Sequence, residues 1–503
     1  MQASASKYYR RDNRVVAIFQ PEDNPQRAEI PAAPSLAEVM KDFKGKDVVQ
    51  TAEAFDPSNA NIDKRTKTLD VEGIKVSLLN KKNRGEQVNL SVRFRSGDEK
   101  SLFNLSSVSA MTGAMLSRGT SKFTRAQLSD EFDRLKFAGG VSGLSASGQT
   151  TKANLAEVIK LAAHIMREPI FPESEFDQLK KQILTGLESQ KSDPQALAGV
   201  ALAQHFNIFP KGDLRYARSL TEAEADTKAV TIDKIRQFHQ QFYGATKGEI
   251  AIVGDFDEAE IVKTIKEVFG NWKGGVPYVR LANPFKDVAP INRSLEMPDK
   301  ENAIFIARIN VDMQDTDPDY AALAMANYIM GGGAGFDSRL TARIRVKDGL
   351  SYGAGSQLSV GATDRGGAWV GFAIAAPQNI EKVETAFKDE VAKAIKDGFT
   401  VAEVVAAKSG IAQQRLQGRA QDASLAGGIA SNLYLGRTYA WSAALEAQFE
   451  KLKADDVSVA FKRHIDPAKL SIIKAGDFAK VAKLAAAPTS APAAPATTGE
   501  VKK

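Results

Sequence analysis

Hydrophobic positions in the first long segment of the chain follow two different periods. Residues 74–79 and 88–94 alternate between apolar and polar side chains, as the strands of a hairpin do. Four stretches with a helical spacing of apolar residues follow, at 103–117, 125–137, 153–167 and 173–190. Strands separated by long helical stretches predict an α+β fold, in which a mostly antiparallel sheet carries helices on one face.

The second long segment shows the same mixture of periods. Its strand patterns lie at 303–310, 351–360 and 368–375, and its helical patterns lie at 318–330, 337–346, 379–397 and 401–416. The segment therefore predicts a second domain of the same α+β class.

The two segments also end alike. Each closes with a helical pattern, a short apolar strand at 249–253 or 470–473, and a Gly-Asp-Phe triplet. The triplets begin at Gly254 and Gly476, about 220 residues apart, a spacing that indicates a duplicated domain. We interpret the chain as two homologous lobes.

Proline-rich and polar stretches mark the boundaries of these lobes. Residues 8–20 are interpreted as the last strand of a preceding domain, with an edge strand docked on the first lobe as the alternative. The tail from 483 is expected to be disordered because it has almost nothing to bury. The predicted divisions are a connector at 1–66, a first lobe at 67–283, a linker at 284–299, a second lobe at 300–482 and the tail at 483–503.

Composition and charge exclude several kinds of site. A chain of 503 residues, 43% of them hydrophobic, can form more than one core. The 67 basic and 61 acidic residues give a net charge of only +6, and they are spread out, so we expect no nucleic-acid partner. The absence of cysteine excludes disulfides and thiolate metal sites.

No apolar run reaches the roughly 20 residues that a membrane helix needs, so no membrane span is expected. Residues 1–12 lack the apolar core of a signal peptide. The compartment stays open: periplasmic if an export signal lies upstream of this chain, cytoplasmic otherwise.

A motif in the second lobe resembles the C-terminal lobe of insulinase/pitrilysin-family zinc peptidases. A glycine-rich turn at 331–333 leads to Ser338-Arg339-Leu340, and Arg345 precedes Tyr352 of the segment Gly349-Leu350-Ser351-Tyr352 by the family's seven positions. The resemblance implies an insulinase-like clamshell half. It also implies that Arg345 and Tyr352 bind the substrate backbone and support the oxyanion of a partner's active site.

The first lobe resembles the family's N-terminal lobe but lacks its zinc motif. Active members carry His-x-x-Glu-His directly before the pair matched by Met115-Leu116; this chain has Ala110, Gly113 and Ala114 at the three functional positions. Alanine and glycine supply neither metal ligands nor a base. The third family ligand, a Glu on a later helix, aligns with Thr185 or Gly186, and Glu188 follows within a turn.

Histidine does not supply a replacement site. His164, His205, His239 and His464 are widely separated, and we find no His, Asp or Glu partner at helical ligand spacing. We therefore expect no metal in this chain and place the zinc in a partner.

Several alternatives stay open beside the resemblance. Arg345 could be a helix-end cation, and Tyr352 a half-buried aromatic residue of a strand. The glycines at 331–333 are expected to serve a tight helix exit with positive φ. The segment 141–147, which matches the substrate-pairing edge strand of active relatives, is expected to be structural here, although a peptide could add to it.

The resemblance implies a non-catalytic subunit or C-terminal half of a zinc metallopeptidase. Such a chain forms one wall of a peptide-degrading chamber and supplies substrate-binding residues to a zinc-bearing half or subunit. Alone, it is expected to have no activity. One alternative is a scaffold member of the family without a proteolytic role. Another is an independent hydrolase, for which the sequence offers no nucleophile–base pair.

Overall fold

The computed structural model describes residues 2–17, 52–333 and 337–480. The chain divides into two compact units, Met1–Gln50 and Thr51–Lys503. The first unit contains helix α1 (Gln2–Tyr8) and a 3₁₀ turn (Arg11–Asn13). Residues 14–17 are exposed and have no strand assignment, and residues 18–20 lie outside the described part of the chain. The strand predicted at 8–20 thus remains a prediction.

The second unit contains two sheets, of which sheet A lies earlier in the chain. Its strand order is β1-β2-β6-β3-β5-β4. Only β2 and β6 pair in parallel; the other neighbours are antiparallel. Its strands are β1 (Lys67–Val71), β2 (Ile74–Asn80), β3 (Gln87–Phe94), β4 (Ala138–Ser142), β5 (Ser145–Thr151) and β6 (Gly248–Gly254).

Within the described residues, sheet B repeats the order of the last five strands of sheet A and has no counterpart of β1. Its order is β7-β11-β8-β10-β9, and again one pair, β7 with β11, is parallel. Both β6 and β11 end in the glycine of a Gly-Asp-Phe triplet. The predicted α+β class with two homologous, mostly antiparallel sheets is confirmed. The strands are β7 (Asn292–Glu296), β8 (Ala303–Asp312), β9 (Ser351–Ser359), β10 (Gly366–Ala375) and β11 (Ser471–Gly476).

Helices occupy the long connections between the strands. The sequence patterns at 153–167, 173–190 and 379–397 match the helices Leu155–Arg167, Glu173–Gln190 and Ile380–Asp397 to within two residues. Those that precede sheet B are α2 (Asn59–Arg65), α3 (Ser106–Met115), α4 (Arg125–Arg134), α5 (Leu155–Arg167), α6 (Glu173–Gln190), α7 (Pro194–His205), α8 (Leu220–Ala229), α9 (Ile232–Phe242) and α10 (Glu258–Phe269). Those that follow are α11 (Tyr320–Asn327), α12 (Arg339–Thr341), α13 (Ile380–Asp397), α14 (Val401–Ala420), α15 (Asp422–Leu435), α16 (Tyr439–Lys451) and α17 (Ala454–His464).

Each sheet covers one large hydrophobic core. In addition, one helix from each half of the second unit packs on the sheet of the other half. α7 places Ala198 and Leu202 against Ile473 of sheet B. In return, α15 places Leu425 and Ile429 against the face of sheet A that carries Val253. Both exchanged helices are rich in alanine and glycine, so the helix axes can approach the sheets closely. The exchange buries apolar surface between the halves.

Among the described helices, none combines the length and the apolar character that crossing a bilayer requires.

Candidate functional site

The three degenerate zinc positions lie on α3, which packs against α6. Ala110 and Ala114 are exposed, and Gly113 is buried. The exposed side chains at 110 and 114 are therefore methyl groups, which cannot bind a metal ion. Within the described residues there is no cluster of three His, Cys, Asp or Glu side chains that could hold a metal ion.

Gly113 packs directly against the turn between β4 and β5. A Cβ at this position would lie 2.9 Å from the backbone nitrogen of Gly143 and 3.5 Å from Oγ of Ser142. Gly143 has a φ of +58°, which lets the turn close tightly over the helix. The turn thus occupies the space into which the first atoms of a catalytic glutamate would project.

The helix that offers the third ligand in active relatives is α6, and it presents no free carboxylate cluster here. Gly186 faces open space, and Glu188 forms an ion pair with Lys191 at 2.7 Å. Arg118 donates to Gln182 on the same helix.

The four histidines have ordinary structural partners. One statement from the sequence is wrong: His164 does have a carboxylate at helical spacing, Glu168, with 3.5 Å between Nδ1 and Oε2. Burial lowers the pKa of His164 and outweighs the opposing charge of Glu168. The Nε2 of His164 lies 3.0 Å from the Thr120 hydroxyl. His464 contacts Asp319 at 2.9 Å.

Tyr352 lies near the start of β9, the edge strand of sheet B. The register passes from Ala375 opposite Ser351 to Ile374 opposite Gly353, so Tyr352 is the extra residue of a β-bulge. The Ser351 hydroxyl donates to the carbonyl of Ile374 at 2.6 Å and accepts from the Gly353 amide at 3.0 Å. The bulge re-aims the tyrosine, and its side chain is 87% exposed.

Arg345 lies on a π-helical turn (Ala342–Lys347) that packs against β9. Its side chain is exposed, whereas Ile344 beside it is fully buried. A tight turn with Gly349 at φ +61° joins the π-helical turn to the strand. The structure therefore puts Arg345 and Tyr352 on adjoining elements, in the half of the second unit that contains sheet B and not α3.

The glycine-rich turn at 331–333 requires glycine for a different reason from the one expected. Gly331 and Gly332 belong to a second π-helical turn (Tyr328–Gly332), and Gly333 has a φ of −75°. Positive φ is therefore not the reason for these glycines. A Cβ on Gly331 would lie 2.3 Å from the Ser356 nitrogen, so close packing of the turn on β9 requires glycine.

Arg339, in the middle of the Ser-Arg-Leu motif, anchors α14. Its guanidinium donates to both carboxylate oxygens of Glu403, at 2.6 and 2.8 Å, and to the carbonyl of Gly398 at 2.8 Å. Burial on its own raises the pKa of Glu403, but hydrogen bonds from Arg339 and from Thr400 outweigh it and lower the pKa to about 2. Arg339 is thus a structural residue.

The segment 141–147 contains the end of β4, a turn at 143–144 and the start of β5, so the single edge strand expected there is wrong in its bounds. The edge strand is β4, which already includes Gly139 and Gly140, and β5 begins at Ser145. A Cβ on Gly139 would meet the Ser147 carbonyl oxygen at 2.3 Å. Close approach of the two backbones at this point requires glycine, a signal that the alternation pattern does not show.

A polar and aromatic junction between the halves was not foreseen from the sequence. The hydroxyls of Tyr278 and Tyr434 are 3.0 Å apart, and the guanidinium of Arg95 lies 3.9 Å from the Tyr434 ring. Burial, followed by the hydrogen bond to Tyr434, raises the pKa of Tyr278 to about 12. The two tyrosines are 156 positions apart in the sequence, so spacing could not have paired them.

Comparison with known families gives a match over residues 229–411, to the family described as Peptidase M16 inactive domain. Among curated proteins, the non-peptidase homolog YmxG of Helicobacter pylori is 23% identical over 39% of this chain and 44% of its own length. An uncharacterized zinc protease of Mycobacterium leprae is 26% identical over 46% of this chain and 50% of its own. The chain spans about half the length of these relatives.

Solved structures share the fold. A peptidase M16 inactive domain from Pseudomonas fluorescens superposes with a TM-score of 0.69 at 24% identity, covering 82% of this chain and 97% of that one. A protease from Helicobacter pylori gives 0.70 at 16% identity, with 82% and 99% covered.

The periplasmic protease PqqL of Escherichia coli covers 94% of this chain with half of its own length, at a TM-score of 0.65 and 14% identity. These likenesses establish the fold, and the family match adds the kind of domain. The resemblance to insulinase/pitrilysin-family peptidases seen in the sequence is confirmed: residues 229–411 match the Peptidase M16 inactive domain.

Proposed function

We propose that this chain is the non-catalytic half of a two-part M16 zinc peptidase. It forms one wall of a peptide-degrading chamber, and a zinc-bearing half or subunit forms the other. The chain supplies Arg345 and Tyr352 to the substrate, and the partner supplies the metal and the base. The observation that carries the proposal is the position of Tyr352, which is 87% exposed at a bulge of an edge strand.

A tyrosine that only packs would bury its ring, because burial of a large aromatic side chain stabilises a fold. Tyr352 stabilises nothing in this way, and the half-buried alternative does not fit its exposure. Bulges at sheet edges serve to re-aim side chains. A hydroxyl held on such a bulge suits a donor that must meet an oxyanion outside its own subunit.

The charge of Arg345 suits the same role. An exposed guanidinium on the turn that packs against the tyrosine's strand can orient the carbonyl groups of a bound peptide. By contrast, α3 presents methyl groups at Ala110 and Ala114 and a buried glycine at 113. The proposal therefore assigns binding and orientation to this chain and bond cleavage to the partner.

The test is steady-state kinetics on this chain assembled with a zinc-bearing M16 chain that has an intact His-x-x-Glu-His motif. Tyr352→Phe should lower kcat by on the order of a hundred-fold, because one oxyanion donor is lost. The affinity of the two chains for each other should not change, since the ring is retained. Tyr9→Phe is the matched control, because Tyr9 is also highly exposed, at 90%, but lies in the first unit.

Unchanged turnover with Tyr352→Phe would overturn the role of the tyrosine. If the two chains assemble and activity depends on neither Arg345 nor Tyr352, the scaffold alternative is favoured instead.

A further inference from the structure

A cavity of about 530 Å³ lies where the two halves of the second unit meet, and we call it the junction cavity. One side is formed by the end of β3 and by Ser109 of α3, the residue before degenerate position 110. The turn that carries Gly143 borders it as well, and this turn also covers Gly113. The opposite side comes from Tyr434 of α15 and from the β9–β10 turn at Thr363 and Asp364.

The floor of the cavity is apolar. Phe238 and Phe242 of α9 stack at 4.4 Å between ring centroids and are nearly buried, as is Phe94. At the rim, Leu214 and Val279 remain 37% and 57% exposed. Apolar side chains left open beside a concave site mark a surface that another molecule covers.

The charges around the cavity neutralise one another. Arg95 forms an ion pair with Glu249, and Arg280 forms one with Asp364. Both arginines therefore already have a carboxylate, which disfavours a charged ligand of either sign.

The tyrosine pair Tyr278 and Tyr434 keeps one hydrogen-bond donor for a ligand. The hydroxyls of Tyr278 and Tyr434 share a hydrogen bond of 3.0 Å, which consumes one of their two protons. The second proton can be donated to an acceptor in the cavity. A peptide carbonyl is such an acceptor, and it lies within a few bonds of its own side chain.

We propose that the junction cavity is a peptide-binding site that takes a large apolar side chain, with the tyrosine pair donating to the adjacent backbone carbonyl. The volume lies within the range of small-ligand pockets, about 300–1,000 Å³, so a side chain and the neighbouring peptide groups fit together. This deepens the proposed function by naming a substrate class, and it rests on that function for the peptide nature of the ligand.

The test uses the full chain alone and three capped peptides, acetyl-Gly-Gly-X-Gly-Gly-amide with X as Phe, Ala or Glu, titrated by calorimetry or NMR. The Phe peptide should bind at least about tenfold more tightly than the Ala peptide, because a buried aromatic ring contributes that much or more. The Glu peptide should bind no better than the Ala peptide.

Two variants locate the binding. Ser109→Phe fills the cavity and should weaken binding of the Phe peptide by about tenfold or more. Its matched control is Ser189→Phe, at an exposed position of α6 that does not line the cavity, which should leave affinity unchanged. The double variant Tyr278→Phe/Tyr434→Phe keeps both rings and removes both hydroxyls, so it should weaken binding by about three- to tenfold.

Absence of saturable binding up to about 1 mM Phe peptide would overturn the proposal. Equal affinity for the three peptides, or no effect of Ser109→Phe in a folded variant, would overturn it as well. No zinc-bearing partner takes part in these titrations. A negative result in these titrations therefore does not contradict the proposed assembly with a zinc-bearing partner. A negative result in the Tyr352→Phe test does not contradict peptide binding in the junction cavity.

Discussion

At the scale of single residues, two helical glycines show how closely the positions that match the family's zinc site are packed in this chain. Gly113 on α3 faces the backbone of Gly143, whereas Gly186 on α6 faces open space. Sequence spacing alone was enough to predict that ligands and base are missing at 110, 113 and 114. It could not predict that the β4–β5 turn fills the space beside Gly113, because turn and helix are distant in the sequence.

We expect the two glycines to respond oppositely to alanine. Gly113→Ala brings Cβ to 2.9 Å from a backbone nitrogen, and the overpacking should lower the free energy of unfolding by about 1–3 kcal/mol. Gly186→Ala should raise it by about 0.5–1 kcal/mol, because alanine favours the helix and meets nothing. Denaturant unfolding of both variants measures this. A stabilised Gly113→Ala would show that the turn does not press on α3.

At the scale of elements, the Ser-Arg-Leu motif connects α12 to α14 through side-chain hydrogen bonds. Ser338 and Arg339 begin α12, and Arg339 holds Glu403 in the first turn of α14. The same carboxylate completes a capping box with Thr400. The free energy of this contact depends on the charge of Glu403.

Glu403→Gln should therefore destabilise the protein in a pH-dependent way. The pKa of the folded carboxyl is about 2, below its ordinary value of 4.5, so its contribution is complete above about pH 4.5 and is lost as the pH falls towards 2. At pH 7 the variant should lose about 2 kcal/mol of unfolding free energy, and the difference should shrink between pH 4.5 and 2.

Unfolding followed from pH 7 to pH 2 gives the comparison. Glu188→Gln serves as the control, since Glu188 is 71% exposed and its ion pair is with the neighbouring Lys191, so the loss of its charge should change little. A loss of unfolding free energy in Glu403→Gln that stays constant down to pH 2 would contradict the ionic origin of the Arg339–Glu403 contact.

Elements with a strong local pattern were predictable from sequence, and those defined by distant contacts were not. The helix Glu173–Gln190 and the strand starting at Ala303 follow directly from their periodicity. The exchanged helices α7 and α15 were not assigned, because alanine and glycine give a weak apolar pattern and their packing partners lie in the other half. The π-helical turn at Tyr328–Gly332 likewise depends on its contact with β9.

For the candidate site, the family spacing led to Arg345 and Tyr352, but the bulge that exposes the tyrosine was not visible in it. The alternation of residues around 352 fits a regular strand. Only the pairing with β10 shows the extra residue, and that pairing is a property of the folded sheet.

At the scale of the whole molecule, direct contacts hold the two halves of the second unit together, in addition to the chain that connects them. Besides the exchanged helices, the ammonium group of Lys81 from the first half meets Asp422 of the second at 2.5 Å and lies 4.1 Å from the Phe55 ring. A buried pair of this kind is costly to break from one side. The proposed chamber wall should therefore act as one body, so that residues on both halves meet a partner together.

The measurement that tests the account most directly is peptidase turnover of a zinc-bearing M16 partner titrated with this chain. Alone, the chain should contain no stoichiometric zinc and cleave no peptide, because α3 offers neither ligands nor a base. Turnover of the partner should rise with added chain and saturate at one chain per partner, and chelation of the partner's zinc should abolish it. Turnover that is independent of this chain, or peptidase activity with bound zinc in the chain alone, would contradict the account.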